Sequence, residues 1–184
     1  MDKKHRRLRF MQNVLLVIDM QNDFIDGALG TPEAVAIVPA VKAAIEGFEG
    51  PVLFTRDTHG ADYMQTQEGR NLPVPHCIRG TPGWEIRPEL DALRKTEAID
   101  KPTFGSRELG ERLVKMDAEE PIGCITLIGV CTDICVISNA LLAKAMLPEV
   151  PVKVDAACCA GVTPQSHENA LDAMAVCQIE ILHR

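Results

Sequence analysis

The 184-residue sequence has no excess of positive charge, no long apolar run and no even set of cysteines at framework spacing, and each absence removes a class of function. Nineteen Lys and Arg against 26 Asp and Glu leave a net charge of −7, which gives no electrostatic reason to expect nucleic acid as a partner. No stretch approaches the roughly 18 apolar residues that a membrane span requires. The run KKHRRLR at positions 3–9 has neither the apolar stretch nor the small-residue cleavage site of a secretory signal. Residues 1–11 are therefore expected to be a disordered basic tail. Seven cysteines, an odd number scattered along the chain, fit free thiols in a reducing cytoplasm better than a disulfide framework. With no internal repeat, low-complexity tract or second domain visible, residues 12–184 read as one domain.

What the sequence does contain is an alternation of strand-length apolar runs with helix-length segments. The strands are expected at NVLLVID (13–19), PVLFTRD (51–57), EAIDK (97–101), CITLIGV (124–130), PVKVDAA (151–157) and CQIEIL (177–182). Near-continuous apolar character marks strands buried on both faces. Helical spacing lies between them, in AVAIVPAVKAAIEGF, RPELDALRK, SRELGERLVKM, CVISNALLAKAM and SHENALDAMA. Together these predict a three-layer, doubly wound α/β sheet of about six mostly parallel strands with helices on both faces. The segment from about 58 to 88 breaks the rhythm with Gly60, Gly69, Gly80, Gly83, four prolines, Tyr63 and the sole tryptophan, Trp84. A connection that long in a compact domain reads as a functional loop or lid.

In such a sheet, sites form beyond the carboxyl ends of the strands. Asp19 ends the first strand, Asp57 the second and Lys101 the third, while Cys135 follows the fourth by five residues. In GVCTDICVIS (129–138) two thiols stand four residues apart at a strand-to-helix junction. That spacing is not the CxxC of redox sites, and no second thiol pair stands at zinc-site spacing. If Thr132 or Asp133 caps the helix, Cys135 lies in its first turn, where backbone N–H groups and the helix dipole favour a thiolate. A lysine cation lowers a thiol pKa further, and a carboxylate can take the thiol proton and later return it to a leaving group. Cys135 is the better nucleophile of the two.

The long loop supplies a second constellation. Asp57 and His59, with His76 returning in PVPHC (73–77), make a carboxylate-plus-two-histidine set suited to zinc, iron or manganese, and Glu68 can complete it. Solvated loop residues are the plain alternative.

LLVIDMQNDFIDGAL, TRDTH, PVPHCIRGTPGWEI, DKPTFGS and LIGVCTDICVISNALLA together resemble the isochorismatase-like cysteine hydrolases, most of all the nicotinamidase branch, from about residue 12 to the end. The resemblance implies a catalytic triad of Asp19, Lys101 and Cys135, in which Cys135 attacks an amide carbonyl and passes through an acyl-thioester as Asp19 protonates departing ammonia. It implies oxyanion donors in the backbone N–H groups of Cys131 and Cys135, with a cis peptide between Val130 and Cys131. It further implies a divalent metal, zinc first, on Asp57, His59 and His76, with Glu68 a ligand only in some members, and Phe24 and Phe104 as substrate-binding pocket walls. Dimers or larger oligomers also follow from it. Isochorismatases proper lack the nucleophilic cysteine and metal histidines, whereas N-carbamoylsarcosine and ureidoacrylate amidohydrolases share the triad but not this metal set. One position departs from the branch: the aromatic residue three before the second metal histidine is here Pro73. The expected activity is hydrolysis of nicotinamide to nicotinate and ammonia. The alternatives are another small amide, ureide or carbamoyl substrate on the same triad, or a non-catalytic thiol- or metal-binding protein.

Overall fold

The computed structural model describes residues 11–184, so the basic run and the tail expected at 1–11 lie, apart from Met11, outside the described residues. Six strands form one parallel sheet in the order β3-β2-β1-β4-β5-β6. They are β1 Gln12–Ile18, β2 Val52–Asp57, β3 Ile99–Lys101, β4 Ile122–Val130, β5 Val152–Ala160 and β6 Glu180–Leu182. The α-helices are α1 Asn22–Ile25, α2 Pro32–Glu46, α3 Gln67–Asn71, α4 Pro88–Asp91, α5 Arg107–Glu119, α6 Ile137–Met146 and α7 Pro164–Val176.

The apolar runs explain the layering. Successive β1 residues face opposite ways, as strand geometry requires. Val14, Leu16 and Ile18 enter a core with Leu109 and Leu113 of α5, Ala140 and Ala143 of α6, and Leu171 and Met174 of α7. Leu15 and Val17 enter the other, with Val38, Val41 and Ile45 of α2 and with Leu90 of α4. Both faces of the sheet are thus covered, and the three-layer α/β architecture expected from the sequence is the one observed. The longer helices begin at side-chain caps that satisfy otherwise orphaned N–H groups: Thr31 for α2, Ser106 for α5 and Thr163 for α7.

Two expectations need correcting. RPELDALRK does not form a full helix; α4 stops at Asp91, and Arg94 turns back onto the Asp91 carboxylate and the Thr96 carbonyl. Neither Thr132 nor Asp133 caps the helical turn that carries Cys135. Cys131 is its N-cap, residues Thr132–Val136 form a π-turn, and α6 continues from Ile137. The strand order reverses between β1 and β4, so the crevice at their carboxyl ends is the place this topology offers a ligand. Gly129 near the end of β4 has φ +117°, and a side chain there would run into the Ile18 carbonyl of β1. Only glycine lets the two central strands stay paired that close to the crevice.

Candidate active site

Asp19, Lys101 and Cys135 meet at the carboxyl edge of the sheet. Lys101 Nζ lies 2.7 Å from Asp19 Oδ2 and 3.4 Å from Cys135 Sγ. It also reaches Asp57 Oδ1 at 3.2 Å and donates to the Thr103 carbonyl at 3.1 Å. Both members of the Lys101–Asp19 pair are fully buried. Asp19 stands just past β1 with φ +48°, a left-handed conformation that Asp tolerates better than most residues. Thr55 of β2 fixes it there: the Asp19 N–H donates to Thr55 Oγ1 at 3.2 Å, and the Thr55 hydroxyl donates to Asp19 Oδ1 at 2.6 Å.

Burial dominates the proton affinities. It pushes the Asp19 carboxyl above the usual carboxylate range despite the opposing Lys101 charge. Burial also opposes the Lys101 ammonium, but Asp19, Cys135 and Asp57 outweigh it and hold the lysine protonated. The Cys135 thiol is raised well above its ordinary value by burial and then by the Asp19 charge, with Lys101 pulling the other way. The thiolate expected from the helix start therefore gives way to a neutral thiol beside a carboxylate with raised proton affinity. Cys131 is pushed up to about 12, by burial first and by Asp133 next. The Val130–Cys131 peptide is cis.

The second constellation also closes. Asp57, His59, Glu68 and His76 each present one ligand atom, all within 4.8 Å of one another. His59 Nε2 lies 2.9 Å from Asp57 Oδ2 and 3.6 Å from Glu68 Oε1, and His76 Nε2 lies 3.7 and 3.8 Å from the same oxygens. A first coordination shell with bonds of ~2.0–2.2 Å has ligand–ligand edges of roughly 3.0–3.5 Å, so the spacing fits donors around one divalent cation. His76 Nδ1 lies 2.8 Å from the Val74 carbonyl, and donating to it leaves Nε2 as the inward donor. Burial and the Asp57 charge push the Glu68 carboxyl up, a conflict between two carboxylates that a cation relieves. Asp57 serves both constellations. Burial opposes its ionisation, yet His59, His76 and Lys101 hold it well below the usual carboxylate range.

Cys135, Cys131, Asp57, Glu68 and His76 open on one cavity of about 280 Å³, and Phe24 and Phe104 stand on its wall. Asp19 and Lys101 sit buried behind it. Phe24 packs against His76 with ring centroids 5.5 Å apart. Trp84 is elsewhere: its Nε1 donates to Thr58 Oγ1 and Arg56 stacks on its ring at 3.7 Å, so it does not replace the aromatic residue missing at Pro73. A larger groove of about 980 Å³ lies between α2 and α5 at the amino end of β2, remote from both constellations.

Several positioning residues carry no sequence signature. The Gln21 side chain donates to the Asp57 carbonyl and accepts from the Asp57 N–H, clamping that backbone. Asp23 accepts the Cys77 N–H beside His76. Asn139 donates to the Cys135 and Phe104 carbonyls and accepts from Ser106 N–H, tying the Cys135 turn to the loop after β3. Only the motif position of Gln21 and Asp23, within the MQNDF that follows Asp19, draws attention to any of them.

With this geometry in hand, the likeness to known proteins is extensive. The family profile for the Isochorismatase domain matches residues 13–183. A nicotinamidase/pyrazinamidase from Mycobacterium tuberculosis is 27% identical over 182 residues, covering 91% of this chain and 97% of its own. The crystal structure of a pyrazinamidase from Pyrococcus horikoshii in complex with zinc is 29% identical, with a TM-score of 0.77 over 94% of this chain and 99% of that one. A nicotinamidase from Bacillus subtilis superposes with a TM-score of 0.75 at 26% identity, over 94% of this chain and 100% of that one. Sequence match and fold agree along nearly the whole described length, and the chain belongs to the isochorismatase family.

Proposed function

We propose that this protein is a metal-assisted cysteine amidohydrolase that converts nicotinamide to nicotinate and ammonia. The observation that carries the proposal is the buried Asp19–Lys101–Cys135 contact opening on a small cavity shared with the four-donor cluster. The amidases among the similar proteins support the substrate class.

The chemistry follows from the three proton affinities. Asp19 takes the Cys135 proton as Sγ attacks the carboxamide carbon, because the thiol is neutral at rest and the carboxylate is its adjacent base. The tetrahedral oxyanion is held by the backbone N–H groups of Cys131 and Cys135. Collapse breaks the C–N bond, Asp19 returns its proton to the departing nitrogen, and ammonia leaves a thioester on Cys135. Water, deprotonated by Asp19, then attacks the thioester, and acid and thiol are released. Lys101 stays protonated throughout and offsets the charge that moves between Asp19 and Sγ. Asp57, His59, His76 and Glu68 would hold a divalent ion, zinc in this reading with iron or manganese served by the same donors. When bound, that ion supplies an electron-pair acceptor for the substrate's ring nitrogen.

Purified protein should release ammonia from nicotinamide and contain about one divalent ion per chain. His76→Ala should lose the ion by elemental analysis and at least ~10-fold in turnover, in the range of disturbed metal sites. A fully active, metal-free protein would remove the metal from the proposal. Pro73, in place of an aromatic side chain, favours a second reading in which the same triad prefers another small amide, ureide or carbamoyl compound. A panel of such amides compared by kcat/KM separates the two, with a ~100-fold preference deciding.

A further inference from the structure

Beyond the reacting and cation-binding groups, the cavity is lined by Phe24, Leu29, Leu72, Phe104, Ile134 and Val162. None of these side chains can hydrogen-bond, and among the described residues no lysine or arginine joins the lining; the nearby Lys101 is buried with its Nζ engaged by Asp19, Asp57 and Thr103. Leu72, Phe104 and Val162 are 39%, 41% and 50% exposed and come from three separate segments, yet all three line this one cavity. Single exposed apolar residues are ordinary. Three converging on a cavity that contains the nucleophile mark a ligand surface.

This apolar group is also fastened. The Tyr63 hydroxyl donates to the Leu72 carbonyl at 2.9 Å, Asn139 Nδ2 donates to the Phe104 carbonyl at 3.0 Å, and the Val162 N–H donates to Asp133 Oδ1 at 3.1 Å. Each of the three backbones is therefore set by a polar side chain from another segment.

Resting on the amidase reading, we infer that the preferred substrate is an uncharged aromatic carboxamide bearing an alkyl substituent that packs on Leu72, Phe104 and Val162. A carboxylate-bearing ureide or carbamoyl compound is disfavoured, because its charge would lose water against side chains that offer no partner. The test uses nicotinamides carrying methyl, ethyl or propyl at ring position 5 or 6, with the carboxy-substituted compounds as controls. Dissociation constants are measured by calorimetry on the metal-loaded Cys135→Ala protein, and ammonia release on the wild type. In at least one of the two series Kd should fall about threefold per added carbon, near the roughly fourfold that complete burial of a CH₂ gives. The carboxy compounds should bind at least 100-fold more weakly. Leu72→Ser and Val162→Ser, both at exposed positions, should bring the propyl-to-unsubstituted ratio of Kd close to one. A flat or rising Kd in both series overturns the inference whatever the ammonia result. Graded Kd without ammonia from any compound would instead overturn the amidase reading.

A different observation carries a second inference. The first two residues of the turn after Cys131 are both held from the far side: Thr132, fully buried, has its hydroxyl 2.8 Å from His167 Nδ1, and Asp133 accepts the Val162 N–H. A side chain at Gly161 would crowd His167, so the close approach of α7 depends on that glycine. The geometry points to His167 as a positioning residue that sets the turn between the two proposed oxyanion donors. Burial holds its imidazole below the usual histidine value, which favours the neutral ring, whose Nδ1 can accept a hydrogen bond from the Thr132 hydroxyl. His167→Ala should lower kcat about tenfold with KM within twofold, His167→Asn should restore most of that loss, and Thr132→Val combined with His167→Ala should cost no more than either alone. Unchanged kcat in folded His167→Ala, or additive losses in the double variant, would overturn the assignment.

Discussion

Cys135→Ala should reduce ammonia release from nicotinamide by at least about 10⁴-fold, the scale on which removal of a covalent nucleophile acts in triad hydrolases. The variant should fold, because the side chain leaves only a small void in a core of Val136, Ala140 and neighbouring strand residues. Its diagnostic partner is Cys131→Ala. That thiol stands at the N-cap of the nucleophile turn with a pKa pushed up to about 12 by burial and Asp133, which leaves it protonated and inert. On the proposed mechanism only its main-chain N–H participates, so Cys131→Ala should keep activity within about threefold. Loss of activity in the second variant and not the first would exchange the roles of the two cysteines.

Lys101→Met should fail in two ways at once. The lysine is fully buried between Asp19 and Asp57, and removing it leaves two carboxylates without their shared cation. Breaking a buried ion pair from one side costs about 3–5 kcal/mol. For a chain of this size, that corresponds to a fall in Tm of roughly 10 °C, readable by calorimetry. Turnover should drop by at least about 10³-fold, since charge moving between Asp19 and Sγ loses its counter-ion. A variant melting within 2 °C of the wild type would show that water, not Lys101, carries the electrostatic balance. A smaller side chain such as alanine admits water and should destabilise less than methionine, while restoring no activity.

How much of this was readable beforehand depends on the kind of residue. The strands announced themselves because burial on both faces demands continuous apolar runs, and their ends delivered Asp19, Asp57, Lys101 and the Cys135 turn to one edge. The four candidate cation ligands could be proposed from spacing and family likeness, since few residue types bind a divalent cation. Thr55, Asn139 and His167 had no such signal, and Gln21 had only its place in the motif: each acts through side-chain hydrogen bonds whose partners include a group remote in sequence. The walls Leu29, Leu72, Ile134 and Val162 were hidden for a simpler reason, as a leucine in a pocket and a leucine in a core look alike until the chain is folded. The thiolate expectation failed because a helix start and a lysine favour the anion, while desolvation, which sequence does not display, favours the thiol more strongly.

The strand order has a further consequence for how the protein comes into being. β1 lies at the centre of the sheet between β2 and β4, yet β4 and the Cys135 turn that follows it are made only after more than half the chain. During synthesis, Asp19 and Lys101 therefore exist for a time with no sulfur to serve, and Cys135 leaves the ribosome as an ordinary thiol. Folding does not make that thiol more acidic; it sets it beside the buried Lys101, which is itself paired with Asp19. On the proposed mechanism, a chain that ends before β4 holds Asp19 and Lys101 without Cys135, and the site is complete only where β4 pairs with β1.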